Sequence, residues 1–386
     1  MPTCASRRHR VYGRRIPIYG VEYIRTDMEI ETRKVQKLGY SSVGISLPKS
    51  WAESNGLRPG SLVAIAAEDD GTLRVKAGPL EDIHAASEAT IDADEWSGPE
   101  SLTRIITGNY IVGRNTIRVR SREELSPGQL QEIHDAVRGL TGLTIVNQGP
   151  KFVTIENFAE PTRFPIDGLL RRLHYLTARM EKLALGVLSG EFTGNLEEVG
   201  RMESEVDRLY WLVVRQLLLA AQNRSVAGKI GEVEPRHLVG DRVVAVMLEN
   251  IGDLWEEVAV GTVPLVKASR RLPKEFSKSV AALKGTLERV MDVTMTAFFT
   301  SDLMKANEAL DLNAALEREI RTISAGIPDI RCDRKGDFCT TCTLLRSVLR
   351  PIEHVAKYYG TIAQLTINRS LEEKLVAVNV GPPPTA

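Results

Sequence analysis

The sequence predicts a multidomain protein: a small β domain first, a small mixed α/β segment in the middle, and an all-helical C-terminal half. Three observations carry that reading. The 386 residues exceed one ordinary domain. Strand and turn signals crowd the span from Met28 to Gly78, whereas after Pro165 apolar positions recur at 3.6-residue spacing over long stretches. Aromatics are only 5% of the chain, so the cores must rest on Leu, Val, Ile and Ala, which favours helices over a sandwich.

Residues 1–27 form a basic extension in which Arg7, Arg8, Arg10, Arg14, Arg15 and Arg25 face only Glu22 and Asp27. It has no helical or strand period and ends where patterned sequence begins. Two readings stay open: an over-extended reading frame with Met28 as the true start, or a basic arm that tracks DNA phosphates. Residues 28–78 read as the β domain. Strands are expected over Thr32–Leu38 and Ser42–Leu47, with a turn at Gly39-Tyr40. Pro48 opens a short helix over Lys49–Asn55 that Gly56 closes in a left-handed conformation. Arg58-Pro59-Gly60 is a turn, and Leu62–Ala67 and Leu73–Lys76 form a hairpin around Asp69-Asp70-Gly71.

Residues 79–100 hold seven acidic side chains between Glu81 and Glu100 with no Lys or Arg, and read as a solvated acidic linker. Residues 101–160 read as mixed α/β. Ile111–Arg120 is strand-like, Ser126-Pro127 caps a helix running to Leu140, and Leu143–Asn147 and Lys151–Ile155 form a strand pair around Gly149. Residues 165–386 read as helices near 166–189, 195–222, 236–268, 273–299, 301–324 and 343–375. Six long helices divide into two antiparallel three-helix bundles, repeats of about 165–268 and 273–378, and Leu248–Asp253 in the third helix is echoed by Ile352–Ala356 in the sixth.

Glu31-Thr32-Arg33-Lys34-Val35-Gln36-Lys37, Gly44-Ile45-Ser46-Leu47-Pro48-Lys49-Ser50-Trp51-Ala52 and Leu57-Arg58-Pro59-Gly60-Ser61 resemble the AbrB/SpoVT fold. That resemblance implies a swapped-hairpin β-barrel made by two chains, a homodimer with basic residues laid on DNA. Arg33, Lys34, Lys37 and Lys49 are the candidates, since a dimer doubles each phosphate contact; the same side chains also fit a barrel used only for dimerisation. Met202–Tyr210, Glu249–Asp253 and Arg350-Pro351-Ile352-Glu353 resemble the PhoU family, an all-α pair of three-helix bundles. The two modules joined in one chain resemble archaeal members of that family. The resemblance implies a phosphate-responsive regulator, here a DNA-binding repressor of phosphate-uptake genes. The alternative is a protein–protein adaptor that restrains components of a phosphate transporter or a sensor kinase.

Glu203 and Asp207 are four residues apart and share one helix face, and Glu249 and Asp253 repeat the geometry. The pattern fits a solvent-facing acidic surface or, with the two faces together, a site for a metal ion. The PhoU resemblance implies the metal, with iron or zinc foremost and magnesium as a third choice. By alignment Asn313 and Glu317 stand where the first repeat has Glu203 and Asp207, and Glu353 and Lys357 where it has Glu249 and Asp253. The second bundle is therefore expected to hold a Glu–Lys pairing instead of a metal.

A carboxylate-bridged oxidoreductase would ordinarily add a His three residues after a Glu; positions 206 and 252 are Val and Gly. Cys332, Cys339 and Cys342 form a second candidate metal group, with His354 or water completing four ligands; a disulfide or inert thiols are the rival readings. No Walker loop, Rossmann glycine pattern or nucleophile elbow is present, and a non-catalytic protein is expected. With no signal-peptide core and no apolar run of membrane-spanning length, the expected location is cytoplasmic.

Overall fold

The computed structural model describes residues 31–39, 42–67, 72–78, 88–189, 197–222, 224–231, 234–269, 274–327 and 340–379. The basic extension, Met28, Tyr40, the Asp69-Asp70-Gly71 turn, Cys332 and Cys339 lie outside them. The chain forms two compact units, Met1–Asp82 and Ile83–Ala386.

In the first unit, β1 (Gln36–Leu38) and β2 (Ser42–Gly44) pair antiparallel, with Lys37 opposite Val43. Both strands are shorter than the apolar pattern implies. The helix α1 (Lys49–Ser54) follows Pro48, and Gly56 and Gly60 take φ of 66° and 90°, the left-handed turns expected of them. A second hairpin pairs β3 (Val63–Ala67) with β4 (Leu73–Ala77). None of the described side chains from residue 31 to 78 is buried. Val43, Leu62 and Leu73 are 74%, 76% and 64% exposed. Each forfeits about 1.5–3 kcal/mol of burial in one chain alone, and isolated two-stranded hairpins are marginal in water. One copy supplies two hairpins rather than a closed barrel.

The second unit begins with a four-stranded sheet in the order β5–β6–β8–β7. Its strands are β5 (Glu88–Asp92), β6 (Thr116–Arg120), β7 (Leu143–Gly149) and β8 (Phe152–Asn157). β5 runs parallel to β6, and the β6–β8 and β8–β7 pairs are antiparallel. This corrects the expected acidic linker: residues 88–92 are an edge strand. Its acidic side chains act as partners, Glu88 pairing with Arg118 at 3.0 Å, while Asp94 accepts from Ser121 Oγ at 2.8 Å and Arg122 N–H at 3.1 Å. A second correction concerns Ile111–Arg120. Ile111 ends a helix, α2 (Ser101–Ile111), and the strand starts at Thr116. Leu102, Ile106 and Tyr110, four residues apart, bury one stripe of α2, and Gly113 at φ 97° turns the chain back.

The helix α3 (Pro127–Gly139) opens with a capping box between Ser126 and Gln129. Its Glu132 accepts from the N–H groups of Glu100 and Leu102, both at 3.0 Å, satisfying orphan donors at the start of α2. Ile117, Val119, Val153 and Ile155 from the sheet meet Leu102, Ile106, Tyr110 and Ile133 in one core.

The helical half comprises α4 (Ile166–Ser189), α5 (Glu197–Gln222), the short α6 (Arg224–Lys229), α7 (Pro235–Ser269), α8 (Lys274–Thr300), α9 (Leu303–Gly326) and α10 (Thr340–Asn379). α4, α5 and α7 form one bundle, and α8, α9 and α10 the other; α7 packs on α10 and α4 on α8 to join them. A continuous apolar core runs through both, with Trp255 and Tyr359 fully buried. Trp211 packs against this core and against that of the α/β part. Among the described residues no helix is long and apolar enough to cross a membrane.

Candidate functional site

Two helices of the first bundle build the acidic site. Val206 on α5 and Ile251 on α7 are fully buried, which turns the residues beside them toward the groove between the helices. Gly252 makes close approach possible: a Cβ there would lie 3.2 Å from Val206 Cγ1. Glu203, Asp207 and Asp253 each present a carboxylate oxygen within 4.8 Å of the others. Glu249, the fourth expected ligand, is not in this trio. It stands one turn earlier on α7, where Arg242 offsets part of the acidic field.

Electrostatics show the strain of gathering these groups. Partial burial pushes Glu203 up to about 7, helped by the charges of Asp207, Glu256 and Asp253. Glu249 is pushed up to about 7 by burial and then by Asp253 and Asp207. Asp207 and Asp253 are raised chiefly by desolvation. Glu256 is an acidic neighbour that the pair-by-pair reading missed. It lies one turn beyond Asp253, and that spacing was the available signal. The donor set is all carboxylate, which fits a hard divalent or ferric ion and offers zinc none of its preferred nitrogen or sulfur ligands.

The second bundle differs at the corresponding place. Lys357 Nζ lies 2.9 Å from Glu353 Oε1, and the lysine holds Glu353 below the usual carboxylate range. Glu317 pairs with Arg321 at 3.4 Å. Asn313 is buried, and a Cβ on Gly360 would lie 2.8 Å from its amide nitrogen. The proximity of positions 203 and 256 thus recurs at 313 and 360 with the acids gone. Here a lysine supplies the neutralising charge.

Of the cysteine group, Cys342 is described: it sits on α10 with Sγ 3.5 Å from the Ile327 carbonyl oxygen. His354 lies on the same helix twelve residues on, about 18 Å along its axis. That distance excludes it as a fourth ligand beside Cys342. Of the DNA candidates, Arg33 pairs with Glu31 and Lys49 with Glu53 at 3.6 Å. Lys34 and Lys37 are exposed and have no ion-pair partner among the described residues.

The geometry defines a duplicated three-helix-bundle protein with a carboxylate cluster in its first bundle, preceded by a hairpin unit with no buried side chain among its described residues. Comparison with known proteins supplies the families. Residues 36–80 match the family model described as antidote-toxin recognition MazE, bacterial antitoxin. Residues 170–260 match the PhoU domain. The chain therefore carries a MazE/AbrB-like domain toward its N-terminus and a PhoU domain in its helical half. Among solved structures it is similar to the crystal structure of PhoU from Pseudomonas aeruginosa, at 16% identity over 54% of this chain and 96% of that chain, with a TM-score of 0.46. No curated protein matches.

Proton competition gives the cluster a testable signature. Carboxyls raised in the folded state favour the apo fold at low pH, and that contribution is lost as pH climbs from about 4 toward 7. A metal ion replaces the protons and restores it. In a Cys332→Ser, Cys339→Ser, Cys342→Ser background, millimolar Mn²⁺ should raise the melting temperature more at pH 8 than at pH 5. The Glu203→Gln, Asp253→Asn variant should show little shift at either pH. Equal shifts in both proteins would put the metal elsewhere.

Proposed function

We propose that this chain is a phosphate-responsive, DNA-binding regulator of phosphate-uptake genes, with the hairpin unit as reader and the PhoU domain as sensor. The observation that carries it is the union, in one chain, of a MazE/AbrB-like unit lacking any buried described side chain and a PhoU domain holding a carboxylate cluster. The exposed Val43, Leu62 and Leu73 call for a second copy, so the reader works as a homodimer whose hairpins close one barrel. Dimerisation brings Lys34 and Lys37 together with their copies and doubles the cations available to phosphates. This local patch is what a chain of zero formal net charge needs to hold DNA.

In the PhoU domain Glu203, Asp207 and Asp253 hold a hard cation, with Glu249 and Glu256 adding negative field. The ion neutralises acids that otherwise repel, and so fixes the spacing of α5 and α7. The response passes to the reader, or to components of a phosphate transporter, as a shift between metal- and ligand-bound states of the bundle.

A gel-shift experiment tests the reading, using DNA upstream of the protein's own gene with and without phosphate. The expected result is a retarded complex whose amount changes with phosphate. A stable dimer that fails to retard DNA at low salt contradicts it and favours the adaptor role.

A further inference from the structure

We infer that a cleft between the α/β part and α5 is a binding site for a phosphoryl oxyanion, placed beside the acidic cluster so that ligand and metal share Asp207. The inference rests on the reading of the chain as phosphate-responsive, and names the place where that response begins.

The cleft measures about 770 Å³. One wall is a single stripe of α5 that includes Arg201, Ser204, Arg208 and Trp211; the other comes from α2 and α3, including Thr103 and Thr107. Arg201 and Arg208 are seven residues apart, two turns along one face, about 10 Å on the helix axis. Both are exposed, and neither has an ion-pair partner among the described residues. Ser204 stands midway between them, its hydroxyl donating to the Gly200 carbonyl at 3.2 Å. Gly200 leaves room there for the Glu256 carboxylate, whose Oε1 would lie 3.1 Å from a Cβ at that position, so a cation is needed beneath any anion bound here. Both guanidinium groups can lean over Ser204 from opposite sides and grip one tetrahedral anion with paired N–H donors.

The lining carries three arginines and three acids, Asp135, Glu197 and Asp207, so preference for an anion depends on a cation neutralising the acidic cluster. Arg138 in the far wall is already paired with Asp135, so the cations left to a ligand are the two on α5. Asp207 lines the same cleft and belongs to the carboxylate trio. A cation held there would face the oxyanion from below, adding attraction where a bare carboxylate repels. Binding of metal and of oxyanion is therefore coupled, and each raises the affinity of the other by the same factor. The hydrogen bond from Thr141 Oγ1 to the Arg208 carbonyl oxygen, 3.4 Å, ties the two walls together at the mouth.

The chemistry admits inorganic phosphate or a small phosphate ester, the ester placing its organic part on the Trp211 ring. Calorimetric titration of the full chain with Mn²⁺ present separates them, using inorganic phosphate and AMP as probes. Tighter phosphate binding identifies the free anion as ligand; tighter AMP binding identifies an ester. In either case Arg201→Gln with Arg208→Gln should weaken binding about tenfold or more, and removing Mn²⁺ should weaken it in the parent protein. Both arginines are exposed, so melting temperature should hold. If it falls, Arg201→Lys with Arg208→Lys keeps the charge without the fork and should still weaken binding. Absence of binding by both probes, or equal affinity in the variants, overturns the inference. Its failure is distinct from failure of the regulator reading: DNA retarded by a protein that binds neither probe sinks the cleft alone, and phosphate bound by a protein that never retards DNA sinks the regulator.

Discussion

Replacing Glu181 by Gln will stabilise the protein by about 4 kcal/mol at pH 8 and change it little at pH 4. Glu181 lies on α4, fully enclosed where α4 meets the second bundle, and among the described residues neither carboxyl oxygen has a hydrogen-bond partner. Burial, with a smaller contribution from Glu288, pushes it up to about 8. The Tyr359 hydroxyl from α10 is buried near the same carboxyl and is raised in turn, by burial first and then by Glu181. The sign follows from the protons. Above about 4.5 the unfolded chain releases the Glu181 proton, whereas the folded chain keeps it until about 8. Stability present below 4.5 is therefore lost progressively across that window. The rise from 4.5 to about 8 is worth about 5 kcal/mol in full, of which about 4 kcal/mol is lost by pH 8, where the folded carboxyl is half ionised. Gln has the same shape and never ionises. Urea unfolding of parent and variant at pH 4 and pH 8 measures the difference; a gap independent of pH would show that Glu181 ionises freely in the fold.

Removing Arg215 has the opposite effect. This side chain is 2% exposed on α5 and has no carboxylate partner among the described residues. Its guanidinium donates to the carbonyl oxygens of Tyr110, of Gly113 at 3.4 Å and of Arg114 at 3.1 Å, and to Asn115 Oδ1 at 2.8 Å. It also lies over the Tyr110 ring at 4.9 Å. These carbonyls are the last of α2 and the turn after it, the negative end of that helix dipole. Arg215 thus caps α2 across the join between sheet and bundle. Arg215→Leu strands several buried acceptors and should cost about 3 kcal/mol or more. Arg215→Lys, which keeps the charge without the fork, should recover part of it. Urea unfolding combined with hydrogen exchange in α2 reads both; a destabilisation of less than about 1 kcal/mol would show that the carbonyls find other donors.

The helical half was legible because its signal is local and repeated. Leu169, Leu173, Leu176 and Met180 recur at helical spacing on α4, and all are buried. Ser126 announced the start of α3 by its own chemistry. What escaped depended on partners distant in sequence. Glu88–Asp92 looks like solvated acid until Arg118 is placed beside it, 30 residues on. The period-two signal of Ile117 and Val119 spread backward over the end of α2, because the intervening Gly113-Arg114-Asn115 is neutral in both patterns. The acidic pairs were visible by their i,i+4 spacing. Glu249 dropping out of the trio, and Glu256 entering its field, follow from the approach of α5 to α7 at Gly252. Nothing in the sequence singles out Arg201 and Arg208; α2 and α3 supply the opposite wall that makes them part of a cleft.

The measurement that bears most directly on the account is DNA affinity as a function of salt, by fluorescence anisotropy with the upstream DNA. The parent dimer should give a linear fall of log affinity with log salt. The Lys34→Ala, Lys37→Ala variant should stay dimeric while its slope falls by about 0.9 for each phosphate no longer neutralised. A salt-independent signal, or a variant slope equal to that of the parent, would contradict DNA reading by the hairpin unit.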